Sequence, residues 1–145
     1  MKRLGIELPV APVPAFQYVP VTIHERLAFV SGQLPRRGEE VVVGKLGAEV
    51  GLDQGREAAR LCILQALACL QQALGSLDRV DRILKVTGFV ASAPGFNQQP
   101  KVIDAASELL GQVFGEAGRH ARSAIGVAEL PRNAAVEIEL IAALR

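Results

Sequence analysis

Apolar and polar positions repeat with two different periods along this chain, and the switches between them mark its elements. Over residues 54–74 the period is helical. Leu61, Ile63, Leu64, Leu67, Leu70 and Leu74 form a broad apolar surface, while Asp53, Glu57, Arg60 and Gln71 fall near one polar stripe. Asp53 is placed to cap this helix and Gly75 to end it. A second helix opens at Pro100, a residue suited to a first helical turn. Its stripe is Val102, Ala106, Leu109, Leu110 and Val113, and Gly115 and Gly118 end it.

Elsewhere the period is two. Residues 82–91 predict a strand, with Val80, Leu84, Val86 and Val90 on one face and Ile83, Lys85, Thr87 and Phe89 on the other. Residues 16–21 and 27–31 read as strands, the second ended by Gly32 and Pro35. Arg36-Arg37-Gly38-Glu39-Glu40 reads as a solvated turn, and Val41-Val42-Val43 as a short strand or edge. Three prolines within residues 8–15 enforce extended backbone. Glycines 44, 47, 51 and 55 mark a loop leading into the first helix; their spacing matches no phosphate-binding fingerprint. Residues 121–144 read as two strands joined by a turn around Pro131-Arg132-Asn133.

The order β-β-(β)-α-β-α-β-β predicts a two-layer α/β (α+β) architecture. A mixed sheet of five or six strands would carry two helices on one face. Two helices cannot cover both faces of such a sheet, so the other face is expected to associate with a partner.

Composition narrows the function. The 145 residues are one domain's worth, 1–145, half of them hydrophobic and 21% charged. With 16 basic and 15 acidic residues the net charge is +1, which gives no electrostatic reason to expect nucleic acid or an anionic membrane as partner. No apolar run approaches the roughly 18 residues of a membrane span. The segment from Met1 to Pro9 lacks the apolar core of a signal peptide, so a cytoplasmic protein is the default. Cys62 and Cys69 lie on the first predicted helix, about 10 Å apart at ~1.5 Å per residue, too far for a disulfide. They read as packing residues.

Charges inside the last two strands carry the candidate chemistry. Arg122 opens the first, and Glu137 and Glu139 sit within the second. Strand charges of this kind are usually paired, solvated or functional. A guanidinium binds a carboxylate through two parallel hydrogen bonds; the structural alternative is a salt bridge from Arg122 to Glu137 or Glu139. A hairpin centred near Pro131 would put Arg122 and Ala124 on the face shared with Glu137 or Glu139, register permitting. His24 and His120 have no metal-site spacing, and no metal is expected. His120 reads as a loop histidine at the edge of the Arg122 region.

Several motifs also carry a resemblance. Ala121-Arg122-Ser123, Val127-Ala128, Leu130-Pro131 and Val136-Glu137-Ile138-Glu139, with Tyr18 upstream of Phe29-Val30-Ser31-Gly32-Gln33-Leu34-Pro35, resemble the RidA/YjgF family. These are reactive-intermediate deaminases also known as L-PSP-type endoribonucleases. Gly88-Phe89-Val90-Ala91-Ser92-Ala93-Pro94 and Phe114-Gly115-Glu116-Ala117-Gly118-Arg119-His120 resemble a longer branch of the family. The resemblance implies a chorismate-mutase-like fold, assembled as a homotrimer with a barrel-like core and clefts between subunits. It implies that Arg122 holds the carboxylate of a small ligand or imino acid. Glu137, with Glu139 as alternative, would orient water; Tyr18 would line the cleft; Ser31 would offer its hydroxyl. Ala124 stands where the family often has a cysteine, a contact made through backbone. Asp104 or Ser107 would stand where the family often has an asparagine. The implied activity is hydrolysis of 2-imino acids to 2-oxo acids and ammonia, with no cofactor. The alternatives are a non-catalytic carboxylate-binding or regulatory module, and an endoribonuclease.

Overall fold

The strand predicted over residues 82–91 runs from Val80 to Ala91 and is paired along both of its edges. In the computed structural model, which describes residues 4–145, the elements are β1 (Val21–His24), β2 (Leu27–Gln33), β3 (Arg36–Arg37), β4 (Glu40–Val41), α1 (Leu52–Leu74), β5 (Val80–Ala91), α2 (Gln99–Phe114), β6 (Ala121–Val127) and β7 (Val136–Leu144). The reading of the N-terminal charges fell partly on residues 1–3, which lie outside the described residues. The main sheet has the order β1-β2-β7-β5-β6, and β3 and β4 form a separate two-stranded hairpin. This is the five-stranded mixed sheet that the periodicities called for.

Both helices form where the helical period appears. Gly51, not Asp53, is the N-cap of α1; its N–H donates to the Gln54 side chain at 3.1 Å, and Asp53 sits in the first turn. Gly75 closes α1 in the left-handed conformation, φ 84, which glycine adopts without strain. Ile63, Leu67 and Leu70 of α1 and Ile103, Leu109 and Leu110 of α2 are buried with Ile83, Val86, Val90, Ile138 and Leu140 of the sheet. Gly88 lets α2 lie close on β5, since a Cβ there would press on Ile103. Among the described residues no helix is long and apolar enough to cross a membrane.

Four expectations are corrected. The C-terminal strands do not form a hairpin: β5 lies between them, antiparallel to β7 and parallel to β6. Parallel neighbours need a crossover, and α2 supplies it between β5 and β6. Residues 131–133 make a 3-10 turn that carries the chain past β5. Of residues 16–21 only Val21 is in a strand, the first residue of β1, where pairing begins; Pro20 lacks the N–H a ladder requires. Arg36-Arg37 and Glu40-Val41 pair across Gly38, φ 65, so the predicted solvated turn is the end of a hairpin. The faces of β5 are also out of phase at one point. Register shifts at Val80/Arg82 and Ile83/Lys85 bury Ile83 and turn Leu84 outward, because each bulge adds a residue to the count of two.

The face opposite the helices stays open. Phe29 is 43% and Ile125 46% exposed, with Phe89 and Ile141 half-buried beside them.

Candidate functional site

Register assigns the strand charges to faces. Arg122 lies opposite Val86, which lies opposite Leu140; both of these are buried under the helices. Side chains directly opposite share a face, so Arg122 points to the helix side. Glu137 lies opposite Phe89, which lies opposite Ile125, on the open side. The expected shared face for Arg122 and Glu137 is therefore overturned, as is a salt bridge between them.

The partner of Arg122 is Asp104. Nη1 donates to Asp104 Oδ1 at 2.7 Å and to Ser107 Oγ at 3.2 Å, and Nη2 donates to the Pro100 carbonyl at 3.4 Å. Positions 100, 104 and 107 recur at helical spacing, so one face of α2 supplies all three acceptors. Asp104 and Ser107 had stood as alternatives; the helix uses both, and their spacing of three was the signal for it. A guanidinium has five N–H donors in a planar fork. Three are engaged here. Nε–H and the second Nη2–H have no partner among the described residues. Nε and Nη2 share one edge of the fork, and a carboxylate can be gripped along such an edge with two bonds.

His120 extends the cluster. Its Nδ1 lies 2.6 Å from the Gly118 carbonyl and its Nε2 2.9 Å from Ser107 Oγ. The ring is thus held at both nitrogens. Ser107, Gly111, Gly118, Arg119, His120 and Arg122 line a shallow pocket of about 290 Å³. Gly118 is required there, because a Cβ would collide with the Leu110 backbone. Ala124, two residues beyond Arg122, is half-buried against the core and lines neither this pocket nor the next.

A second pocket of about 290 Å³ holds Glu137, with Tyr18, Gly32, Arg36, Pro131 and Arg132 among its lining and residues 12–16 along one wall. The Glu137 side chain lies across β2 at Gly32, where any Cβ would collide with its carboxylate. Burial raises the Glu137 pKa above the usual carboxylate value, and the neighbouring Glu139 carboxylate raises it further. Such a group exchanges protons closer to neutrality than an ordinary glutamate. Arg36 and Arg132 were not singled out in the sequence; only the folded chain places them in the lining of the Glu137 pocket. Ser31 does not line the pocket. Its hydroxyl donates to the Val19 carbonyl at 2.7 Å and its N–H to the Pro20 carbonyl at 2.9 Å, which ties residues 19–20 to β2.

The remaining candidates stand apart. His24 is exposed at the end of β1, 3.9 Å from Glu25. Cys62 and Cys69 are free and buried. Burial, with Glu137 adding to it, pushes the Cys62 thiol well up, and burial pushes Cys69 up to about 11. Among the described residues no group of three or more His, Cys, Asp or Glu could hold a metal ion.

Comparison with known proteins gives three kinds of relative. Residues 1–144 match the family described as "YjgF/chorismate mutase-like, putative endoribonuclease". Protein TCP17 from Trypanosoma cruzi is 47% identical over 146 residues, spanning 99% of this chain and 91% of that protein. A 2-iminobutanoate/2-iminopropanoate deaminase from Dermatophagoides farinae is 31% identical over 142 residues, spanning 97% of this chain and 94% of the deaminase. The crystal structure of Atu1372, a protein of unknown function from Agrobacterium tumefaciens, matches with a TM-score of 0.92 at 46% identity, covering 99% of this chain and 89% of that one.

Proposed function

The chain belongs to the YjgF/chorismate mutase-like family, and on that premise we propose that it hydrolyses 2-imino acids to 2-oxo acids and ammonia, in a cleft completed by a second copy of the chain. The observation that carries this reading is that Arg122, held by α2 through Nη1 and Nη2, keeps donors at Nε and Nη2 without partners among the described residues. The similarity to a 2-iminobutanoate/2-iminopropanoate deaminase supports the choice of substrate.

The chemistry divides between the two pockets. Arg122 anchors the carboxylate of a protonated imine, R–C(=NH2+)–COO−. Glu137 takes a proton from water as the oxygen bonds to the C=N carbon. The proton then passes to nitrogen, the C–N bond breaks as C=O forms, the hydroxyl proton goes to the departing ammonia, and 2-oxo acid and ammonium leave. One water is consumed, no electron changes hands, and Glu137 ends as it began. Its raised pKa suits a group that must both accept and return a proton. Tyr18 lines the Glu137 side, where its phenol can hold the attacking water.

A single chain keeps the two pockets on opposite faces of its sheet, so the carboxylate anchor of one copy needs the Glu137 pocket of another. The open, partly apolar sheet face supplies a surface for that association. The assembly proposed is a homotrimer of the 15.4 kDa chain.

The test is ammonia release from 2-iminopropanoate made in situ by an amino-acid oxidase. Acceleration by the wild type, lost in Arg122→Ala and Glu137→Gln, is expected. Background rates with 2-oxobutanoate still bound would instead favour a non-catalytic carboxylate-binding module. RNA cleavage that tracks the protein and is abolished by both substitutions would favour the nuclease reading.

A further inference from the structure

Resting on Arg122 as the carboxylate anchor, we infer that His120 is a positioning residue, which acts through the Ser107 hydroxyl to fix the edge that Arg122 presents to its ligand. A carbonyl only accepts, so the 2.6 Å contact with Gly118 places a proton on Nδ1 of His120. In the neutral ring Nε2 then carries a lone pair, and it faces Ser107 Oγ at 2.9 Å. The Ser107 proton is drawn to that lone pair. A serine hydroxyl otherwise rotates freely; this one is turned so that its oxygen faces Arg122 Nη1 at 3.2 Å.

Without Ser107 the guanidinium would keep Asp104 at Nη1 and only the long 3.4 Å contact from Nη2 to the Pro100 carbonyl, a looser hold on its plane. Two acceptors, Asp104 Oδ1 and an oriented Ser107 Oγ, occupy both Nη1 hydrogens and fix the plane of the fork. The ligand edge is then held ready before binding, the way an outer group orients the side chain that makes the contact. The histidine is itself anchored, since the Gly118 carbonyl it meets belongs to a turn packed against the backbone of α2. His120 lies immediately before β6, two residues from Arg122, and both side chains reach the Ser107 hydroxyl.

The experiment is calorimetry with 2-oxobutanoate on the assembled wild type and on Ser107→Ala, His120→Ala, the double variant and His120→Gln. Each single alanine variant is expected to weaken binding about five-fold, the scale of one lost hydrogen bond. The double variant is expected to be no weaker than Ser107→Ala, because His120 acts only through that hydroxyl. Gln can offer its amide oxygen near the place of Nε2, so His120→Gln is expected to recover most of the affinity. Nitrogen NMR gives an independent reading, since the chain has only two histidines and His120 is expected as the Nδ1–H tautomer. Additive losses in the double variant, wild-type affinity in His120→Ala, or an Nε2–H tautomer would each overturn the inference. Binding lost in Arg122→Ala but indifferent to His120 overturns this inference alone; no binding by the wild type overturns the carboxylate reading with it.

Discussion

Arg122 and Glu137 point away from each other through the same sheet: the arginine packs on α2, and the glutamate lies over β2 at Gly32. One subunit cannot bring them to a common ligand. If they cooperate, they do so between copies, and that separation is measurable.

Arg122→Ala and Glu137→Gln are each expected to be inactive, yet mixed subunits should regain activity. In a random equal mixture, about a quarter of clefts between copies pair an intact Arg122 with an intact Glu137. Denaturing the two variants together, refolding them and assaying imine hydrolysis checks this. No recovery above either variant alone would mean that the two groups do not share a cleft.

Glu137→Gln should also change the pH dependence of stability. The folded pKa is raised above the unfolded one, so the charged form is the disfavoured one in the fold. That cost is absent below the unfolded carboxylate pKa and complete above the folded one. The variant should therefore melt like the wild type near pH 4 and above it at pH 7. Scanning calorimetry across that range decides; equal melting temperatures at pH 7 would contradict the burial argument.

At Arg122, substitution by Ala removes a two-bond, charge-assisted contact worth roughly 1.5–3 kcal/mol per bond. Affinity for 2-oxobutanoate should fall at least ~10-fold by calorimetry, with the assembly intact. Arg122→Lys should restore charge but not the fork. Asp104→Asn should strengthen binding about two- to five-fold, because a neutral amide no longer offsets the guanidinium charge at 2.7 Å.

Gly32→Ala should act on the other half. The added Cβ displaces the Glu137 carboxylate without straining the backbone, whose φ at Gly32 is not positive. Turnover should drop about ten-fold or more while carboxylate affinity holds, the split expected when only the reacting end is moved.

Much of this was visible in the sequence. The helices were, because each carries its own period and its own end signals, down to Gly75 and Pro100. The order of the strands was not. Adjacent strands suggest a hairpin, but β5 has two edges to satisfy, and α2 carries β6 to the far one. That misplacement put Arg122 beside Glu137, when its partner was waiting on α2. The bulges in β5 hid in the same way: a count of two cannot register an inserted residue. Arg122 itself stood out, because an arginine in a half-apolar strand needs a reason. The presence of Arg36 and Arg132 in the Glu137 pocket left no such trace, since it depends on how distant segments fold together.

The position of β7 has a consequence for how this chain is made. Its residues come after those of every other strand, yet it lies in the interior of the sheet, between β2 and β5. A nascent chain that has emerged only as far as residue 135 holds a β1-β2 ribbon and a β5-α2-β6 unit with no strand to join them. Each would expose a long unpaired edge to its neighbours on the ribosome. Closing the sheet is thus a single late event, and ribosome-stalled chains should become protease-resistant only once residues 136–144 have cleared the exit tunnel.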